Sequence, residues 1–301
     1  MGIGLRCDLE PRLEHVHKQL DSGSQTRHIG AMQRLVHIAL AIVVVTLVGV
    51  TARQGLRERE PVYHGKRLSA WLEAYQMHGL AGAETWQVRV AQQEADEAVR
   101  HAGTNALPTL LRMIRAKDSA LVVKLVALAK RQHIVKIKHV PAEELNYQAL
   151  SAFGVLRAKG RSAVPALIEI ADQDISRASR CYAIAALAFI GPPANAAIPS
   201  LSGLATNADS SVRLYAVNAL GGIRAEPARV LPLLINAMRD PAPQVRAAAL
   251  MALRDFGPNA KPALPVLAEF VSNAQEGLER SYAANALKAI DREAAAREGV
   301  K

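Results

Sequence analysis

Nine histidines and two cysteines are the side chains in this sequence best suited to hold a metal or attack a substrate, and their spacing points to neither. His15 and His17 stand two apart in a polar stretch with no further ligand at a metal-site spacing, and no H-E-x-x-H occurs. Cys7 and Cys181 are too few for a disulfide framework or a multi-cysteine zinc site. Cys181 follows Arg180 near the start of an expected helix. A cation and a helix N-terminus would lower a thiol pKa there; the competing reading is a small packing residue. There is no G-x-S-x-G, no Walker loop and no G-x-G-x-x-G, and Gly221-Gly222 reads as a helix end rather than a phosphate cradle. No catalytic residue, cofactor site or metal site is assigned, and the chain is expected not to be an enzyme.

The remaining chemical signal is charge. The chain carries a formal net charge of +10. Residues 101–160 hold ten basic and three acidic side chains, whereas residues 161–301 hold fifteen and thirteen. Arg112, Arg115, Lys117, Lys124, Lys130, Arg131, Lys136 and Lys138 all precede Pro141. This segment, 112–138, could meet anionic lipid headgroups, nucleic acid or an acidic protein, or be a solvated loop. No aromatic residue lies between Trp86 and Tyr147, which argues against stacking on single strands.

The elements that must position these residues repeat. Apolar-Pro pairs end at Pro165, Pro199, Pro232 and Pro265; arginines follow at Arg180, Arg213, Arg246 and Arg280; Ala-Leu pairs follow at Ala186-Leu187, Ala219-Leu220, Ala252-Leu253 and Ala286-Leu287. A period of 33 to 34 residues is the signature of stacked helix pairs. The first helix of each pair runs from the apolar-Pro pair to a polar break, and the second carries the arginine. Positions three, six, seven and ten past the arginine form one helical stripe, Ala183, Ala186, Leu187 and Ile190 in the first copy. Alanine there lets neighbouring helices approach closely. The fold expected is all-α, a right-handed α-solenoid of five to six helix pairs over residues 68–301, clearest at 161–292.

Pro108 to Pro165 is 57 residues, so one copy carries an insertion, placed at about 117–141, within which Val135 to Lys138 alternates like a strand or extended loop. Pro141 should open a helix through Leu156. Leu68, Trp71, Leu72 and Tyr75 fit a short helix, and Thr85 can cap another running to about His101. Gly103 and Gly160, each five residues before a proline, suit left-handed helix ends. Trp71 and Trp86 are expected to bury the open N-terminal end, and the last helix to run past Ile290 as a polar cap.

Residues 1–34 form a polar extension and 53–67 a charged linker. Between them, residues 35–52 carry no formal charge. At 1.5 Å per residue they span roughly 27 Å of helix, close to a hydrocarbon core, so a transmembrane or signal segment is expected over Leu35–Ala52. Val50-Thr51-Ala52 also suits cleavage by a signal peptidase after a start at Met32, which would make residues 1–31 untranslated. Flanking positive charge favours a cytoplasmic C-terminus, whereas the long polar domain after a signal-like segment favours export.

The repeat resembles the HEAT repeat, closely over Ala163–Ala260 and with departures over Lys261–Arg292. The resemblance implies that Asp174 and Asp240, with Arg180, Arg213, Arg246 and Arg280, form a structural ladder along the stack. Asn207 and Ala274 replace the aspartate in the other copies. Residues Arg59 to Leu72 and Gly103 to Pro108, behind an apolar segment, resemble bacterial membrane-anchored or exported HEAT-repeat proteins. That resemblance implies an interaction scaffold at the bacterial envelope, or a secreted one after cleavage near Ala52. HEAT-type folds also include glycosylases and lyases, but no residue here selects either chemistry. The function expected is protein–protein interaction, through the groove of the second helices where Tyr182, Tyr215 and Tyr282 recur. The alternative is an anionic-ligand binder using Lys124, Lys130, Arg131, Lys136 and Lys138. The partner expected is a protein, with the membrane met through Leu35–Ala52; nucleic acid and a small-molecule substrate are disfavoured.

Overall fold

An apolar-Pro pair can open a helix because proline is tolerated in the first turn, where its missing N–H has no intrahelical acceptor. In the computed structural model, which describes residues 60–75, 86–131, 139–273 and 277–300, this produces successive helix pairs. First helices are α3 (Leu107–Ile114), α6 (Val164–Asp172), α8 (Ile198–Leu204), α10 (Pro227–Ala237) and α12 (Leu264–Asn273). Second helices are α5 (Ala142–Leu156), α7 (Arg177–Ile190), α9 (Ser210–Ile223), α11 (Pro243–Phe256) and α13 (Leu278–Ile290). Each second helix packs on its own first helix and on the second helix of the next pair, so α5, α7, α9, α11 and α13 form one continuous row. That is an all-α solenoid. The predicted stripe is its core: Ala183, Ala186, Leu187 and Ile190 are buried, as are their counterparts in the other three copies.

The junctions between pairs are short 3-10 turns at 103–106, 157–163, 192–197 and 257–263. The residue just after each of the first four second helices takes a positive φ: Arg157 (47°), Gly191 (75°), Arg224 (48°) and Gly257 (54°). Gly103, after α2 (Trp86–Ala102), does so as expected, at 53°. Gly160 does not. It is buried against Ile190, whose side chain lies 3.2 Å from where a Cβ would be, so its smallness serves packing. In the third copy the helix starts early, at Pro227, and Pro232 falls inside it.

The inserted segment contains a helix, α4 (Ala120–Arg131), while residues 132–138, with Lys136 and Lys138, lie outside the described residues. So do residues 1–59, including Leu35–Ala52, and Thr85. Among the described residues no helix is long and apolar enough to cross a membrane.

Part of the expected linker is structured. Val62–Tyr63 (β1) and Lys66–Arg67 (β2) form an antiparallel hairpin, with Val62 opposite Arg67. Its turn residues His64 and Gly65 both have positive φ, the requirement of a tight two-residue hairpin loop. The hairpin rests on α1 (Leu68–Leu72): Trp71 Nε1 donates to Tyr63 O at 3.0 Å, and Lys66 Nζ sits 4.1 Å from the Trp71 ring centre. Trp71 packs against the core, but Trp86 is 71% exposed and does not close the end. At the other end the helix does not run on. Asp291 is extended and caps a separate helix, α14 (Arg292–Arg297), accepting from the Glu293 and Ala294 amides. The break lets Ala295 turn back and bury.

Candidate interaction surface

The repeated arginines are placed by the start of each second helix and donate to carbonyls at the end of the helix before it or in the loop that follows. Arg180 donates to Ala171 O and Asp172 O, Arg213 to Asn207 O and Ala208 O, Arg246 to Asp240 O and Pro241 O, and Arg280 to Val271 O. For Arg180 and Arg280 these are carbonyls that the ending helix leaves open; for Arg213 and Arg246 they belong to the loop between the two helices.

Two of the arginines also reach across to the next copy. Arg213 makes a bidentate pair with Asp240, at 2.7 and 2.9 Å. Arg246 makes one with Glu279, at 3.1 and 2.7 Å. Arg180 stays within its copy, 3.4 Å from an 84% exposed Asp174, a contact that water largely screens. The crossing at that level is made by Arg177, which meets Asp209 at 3.1 Å and also Ser211. Sequence reasoning missed Arg177, Asp209 and Glu279. A carboxylate 32 to 33 residues beyond each of Arg177 and Arg246 was the available signal.

Asn146 was also missed. It is fully buried on α5, and its Nδ2 faces Met113 O (2.7 Å), Ile114 O (2.8 Å) and Ala116 O (3.3 Å). Here an amide does for α3 what arginine does in later copies, joined by Ser179 Oγ donating to Ile114 O at 2.6 Å. Asn146→Ala is expected to lower stability by about 1–2 kcal/mol, the cost of leaving buried carbonyls short of donors. Urea unfolding with an unchanged m-value would show it.

The tyrosines lie along the second-helix row. Tyr147 and Tyr182 meet edge-on with ring centres 6.3 Å apart, and Tyr182 meets Tyr215 in the same way at 6.3 Å. All three are half-buried. Burial, then the charge of Tyr215 and Glu143, pushes the Tyr182 hydroxyl up to about 12, so it stays a protonated donor at neutral pH. The fourth copy's Tyr282 is half-buried too, but the third copy has buried Ala248 at that position, so the chain of rings ends at Tyr215. Further along the same helical stripe stand Phe189 (45% exposed), Asn218 and Met251, seven or three residues past the tyrosine position. The row therefore offers aromatic faces, phenol donors and an amide side by side, which is binding chemistry.

Nothing comparable gathers around the other candidates. Cys181 is buried, and desolvation ahead of the neighbouring Asp209 charge pushes its thiol up to about 11, so the reactive reading gives way to the packing one. Among the described residues no cluster of three metal-binding side chains occurs. Lys124 is exposed on α4; Lys130 and Arg131 end that helix, and their side chains lie outside the described set. A cleft of about 650 Å³ opens between α10, α12 and the start of α13, lined by Met238, Val266, Phe270 and Leu278 with Arg239 and Glu269.

Among curated proteins, none matches the sequence. A designed armadillo repeat protein solved in complex with the peptide (KR)4 is 17% identical, with a TM-score of 0.47 over 74% of this chain and 99% of that one. A second designed armadillo repeat protein is also 17% identical, with a TM-score of 0.43 over 75% of this chain and all of that one. Residues 199–288, nearly all of the last three helix pairs, match the family model for HEAT repeats.

Proposed function

We propose that this protein is a non-enzymatic scaffold that binds a segment of a partner protein along the row α5–α7–α9–α11. The observation that carries this reading is the linked, half-buried set Tyr147, Tyr182 and Tyr215. Aromatic rings held by their neighbours lose little conformational freedom on binding, which is why tyrosine anchors interfaces. Asn218, exposed three residues past Tyr215, can donate to and accept from a partner's main chain. Tyr282 extends the same row on α13. Residues Leu35–Ala52 tether the chain to a membrane with the solenoid exported, or are removed near Ala52 to release it. The support for that part is the uncharged 18-residue run alone.

Tyr182→Ala removes the central ring. Relative to Tyr182→Phe, it is expected to weaken partner binding by about tenfold or more, since a well-packed anchor contributes upward of ~1.4 kcal/mol. Lys159→Ala, exposed on a junction between pairs, should leave binding unchanged. Equal binding by both tyrosine variants, with their folds intact by circular dichroism, would refute the reading.

A further inference from the structure

One turn of α4 is bare. Leu121 (72%), Val122 (41%) and Val123 (50%) are exposed in succession, and Lys124 after them is exposed too. At 100° per residue the three aliphatic side chains sweep about 200° of the helix and Lys124 falls in the remainder. A helix end in water does not ordinarily present three adjacent β-branched or leucine residues, because each leaves apolar area unburied. The surroundings are cationic. Arg112 and Lys117 are exposed just before the helix, and residues 101–160 hold ten basic against three acidic side chains. Asp118, the carboxylate nearest the helix in sequence, is engaged internally: it accepts from the Ala142 amide at 3.0 Å and faces His139 Nε2 at 3.4 Å.

We infer that α4 is an in-plane contact with an anionic lipid surface, in which Leu121, Val122 and Val123 enter the headgroup–acyl boundary while Lys124, Lys117 and Arg112 meet lipid phosphates and carboxylates. Charge and apolarity together select this occupant. Nucleic acid would satisfy the cations but leave the three aliphatic side chains in water. An uncharged apolar partner would cover the aliphatic arc and leave the cations unmatched. A bilayer carrying anionic headgroups satisfies both, as basic amphipathic helices do. The inference rests neither on the tyrosine row nor on Leu35–Ala52.

Hydrogen–deuterium exchange of the full chain tests it, read on peptides covering 120–131, so that any insertion of Leu35–Ala52 does not mask the result. Phosphatidylserine-containing vesicles are expected to slow exchange there about tenfold, a gain of ~1.4 kcal/mol in local opening. Pure phosphatidylcholine vesicles should have little effect, and added salt should reverse the slowing. The triple change Leu121→Gln, Val122→Gln, Val123→Gln should abolish the protection with the thermal transition unchanged, since all three side chains are exposed. Lys117→Gln with Lys124→Gln should weaken it several-fold. Equal protection by both vesicle types, protection that survives the triple change, protection by duplex DNA instead of vesicles, protection that appears without lipid and rises with protein concentration, or no protection at all would each overturn the inference.

Discussion

Gly221→Leu will disrupt the stack at the α9–α11 contact. Gly221 sits in the last turn of α9 with helical φ, so no backbone requirement explains the glycine. Space does. A Cβ there would lie 2.6 Å from the Ala252 Cβ and 3.0 Å from the Ala252 Cα, both fixed parts of the facing helix. Gly222, beside it, is similarly close to the backbone and Cβ of Ala188 on α7, at 3.1 to 3.3 Å. The pair lets α9 approach both neighbours in the row. Gly221→Ala gains about 1 kcal/mol in helix propensity, yet the helices must separate, and overpacking of this kind costs roughly 1–3 kcal/mol. A net loss of stability is therefore expected even for alanine, and leucine should cost about 3 kcal/mol or more. Denaturant titration of both variants measures this. A stabilised Gly221→Ala would mean that the helices do not meet as closely as described.

Arg213→Ala should cost about 2–3 kcal/mol, because one side chain links two copies. It closes Asn207 O and Ala208 O at 2.8 and 3.0 Å within its copy and grips Asp240 across the boundary. Its loss leaves Asp240, only 9% exposed, without its counter-charge. The pair lies at the solvent edge of the interface, so the cost falls below the ~3–5 kcal/mol of a fully buried broken pair. Hydrogen bonds from Arg213, then from the Ala242 amide, hold the Asp240 carboxyl below its ordinary value against the opposing effect of burial. A carboxylate whose folded pKa is depressed binds its proton more readily when unfolded. Its contribution is therefore complete above about pH 4, the ordinary aspartate value, and is lost as pH falls through the lowered folded value. Asp240→Asn should flatten that acid limb. In a double-mutant cycle, Arg213→Ala with Asp240→Ala should lose less than the sum of the two single changes.

What the sequence revealed about this molecule follows from what repetition records. Prolines, arginines and the alanine–leucine stripe recur because every copy faces the same stacking problem, and they locate the helix pairs and the core. Cross-copy pairing is less constrained. A guanidinium needs a carboxylate within reach but not at one fixed position, so Glu279 and Asp209 serve where Ala274 and Asn207 stand in the motif. Single-copy solutions leave no periodic trace. Asn146 replaces arginine once, and Gly221-Gly222 occurs in one helix only. The tyrosines were visible as recurring residues, but their linkage through Tyr147 depends on the register between α5 and α7, which the inserted segment obscures. The bare turn of α4 was legible only as a basic stretch, because exposure on a helix is a tertiary property.

The second-helix row, centred on Tyr182, is the proposed binding face. Site-specific photo-crosslinking from that face tests it most directly. A photoreactive residue at Phe189 or Asn218, both exposed on the row, should crosslink a common protein partner, and Tyr182→Ala should abolish the product. The same probe at Glu169, exposed on the first helix α6, should give none. A partner crosslinked from Glu169 but not from Phe189 or Asn218, or a product from the row that Tyr182→Ala leaves intact, would contradict the account.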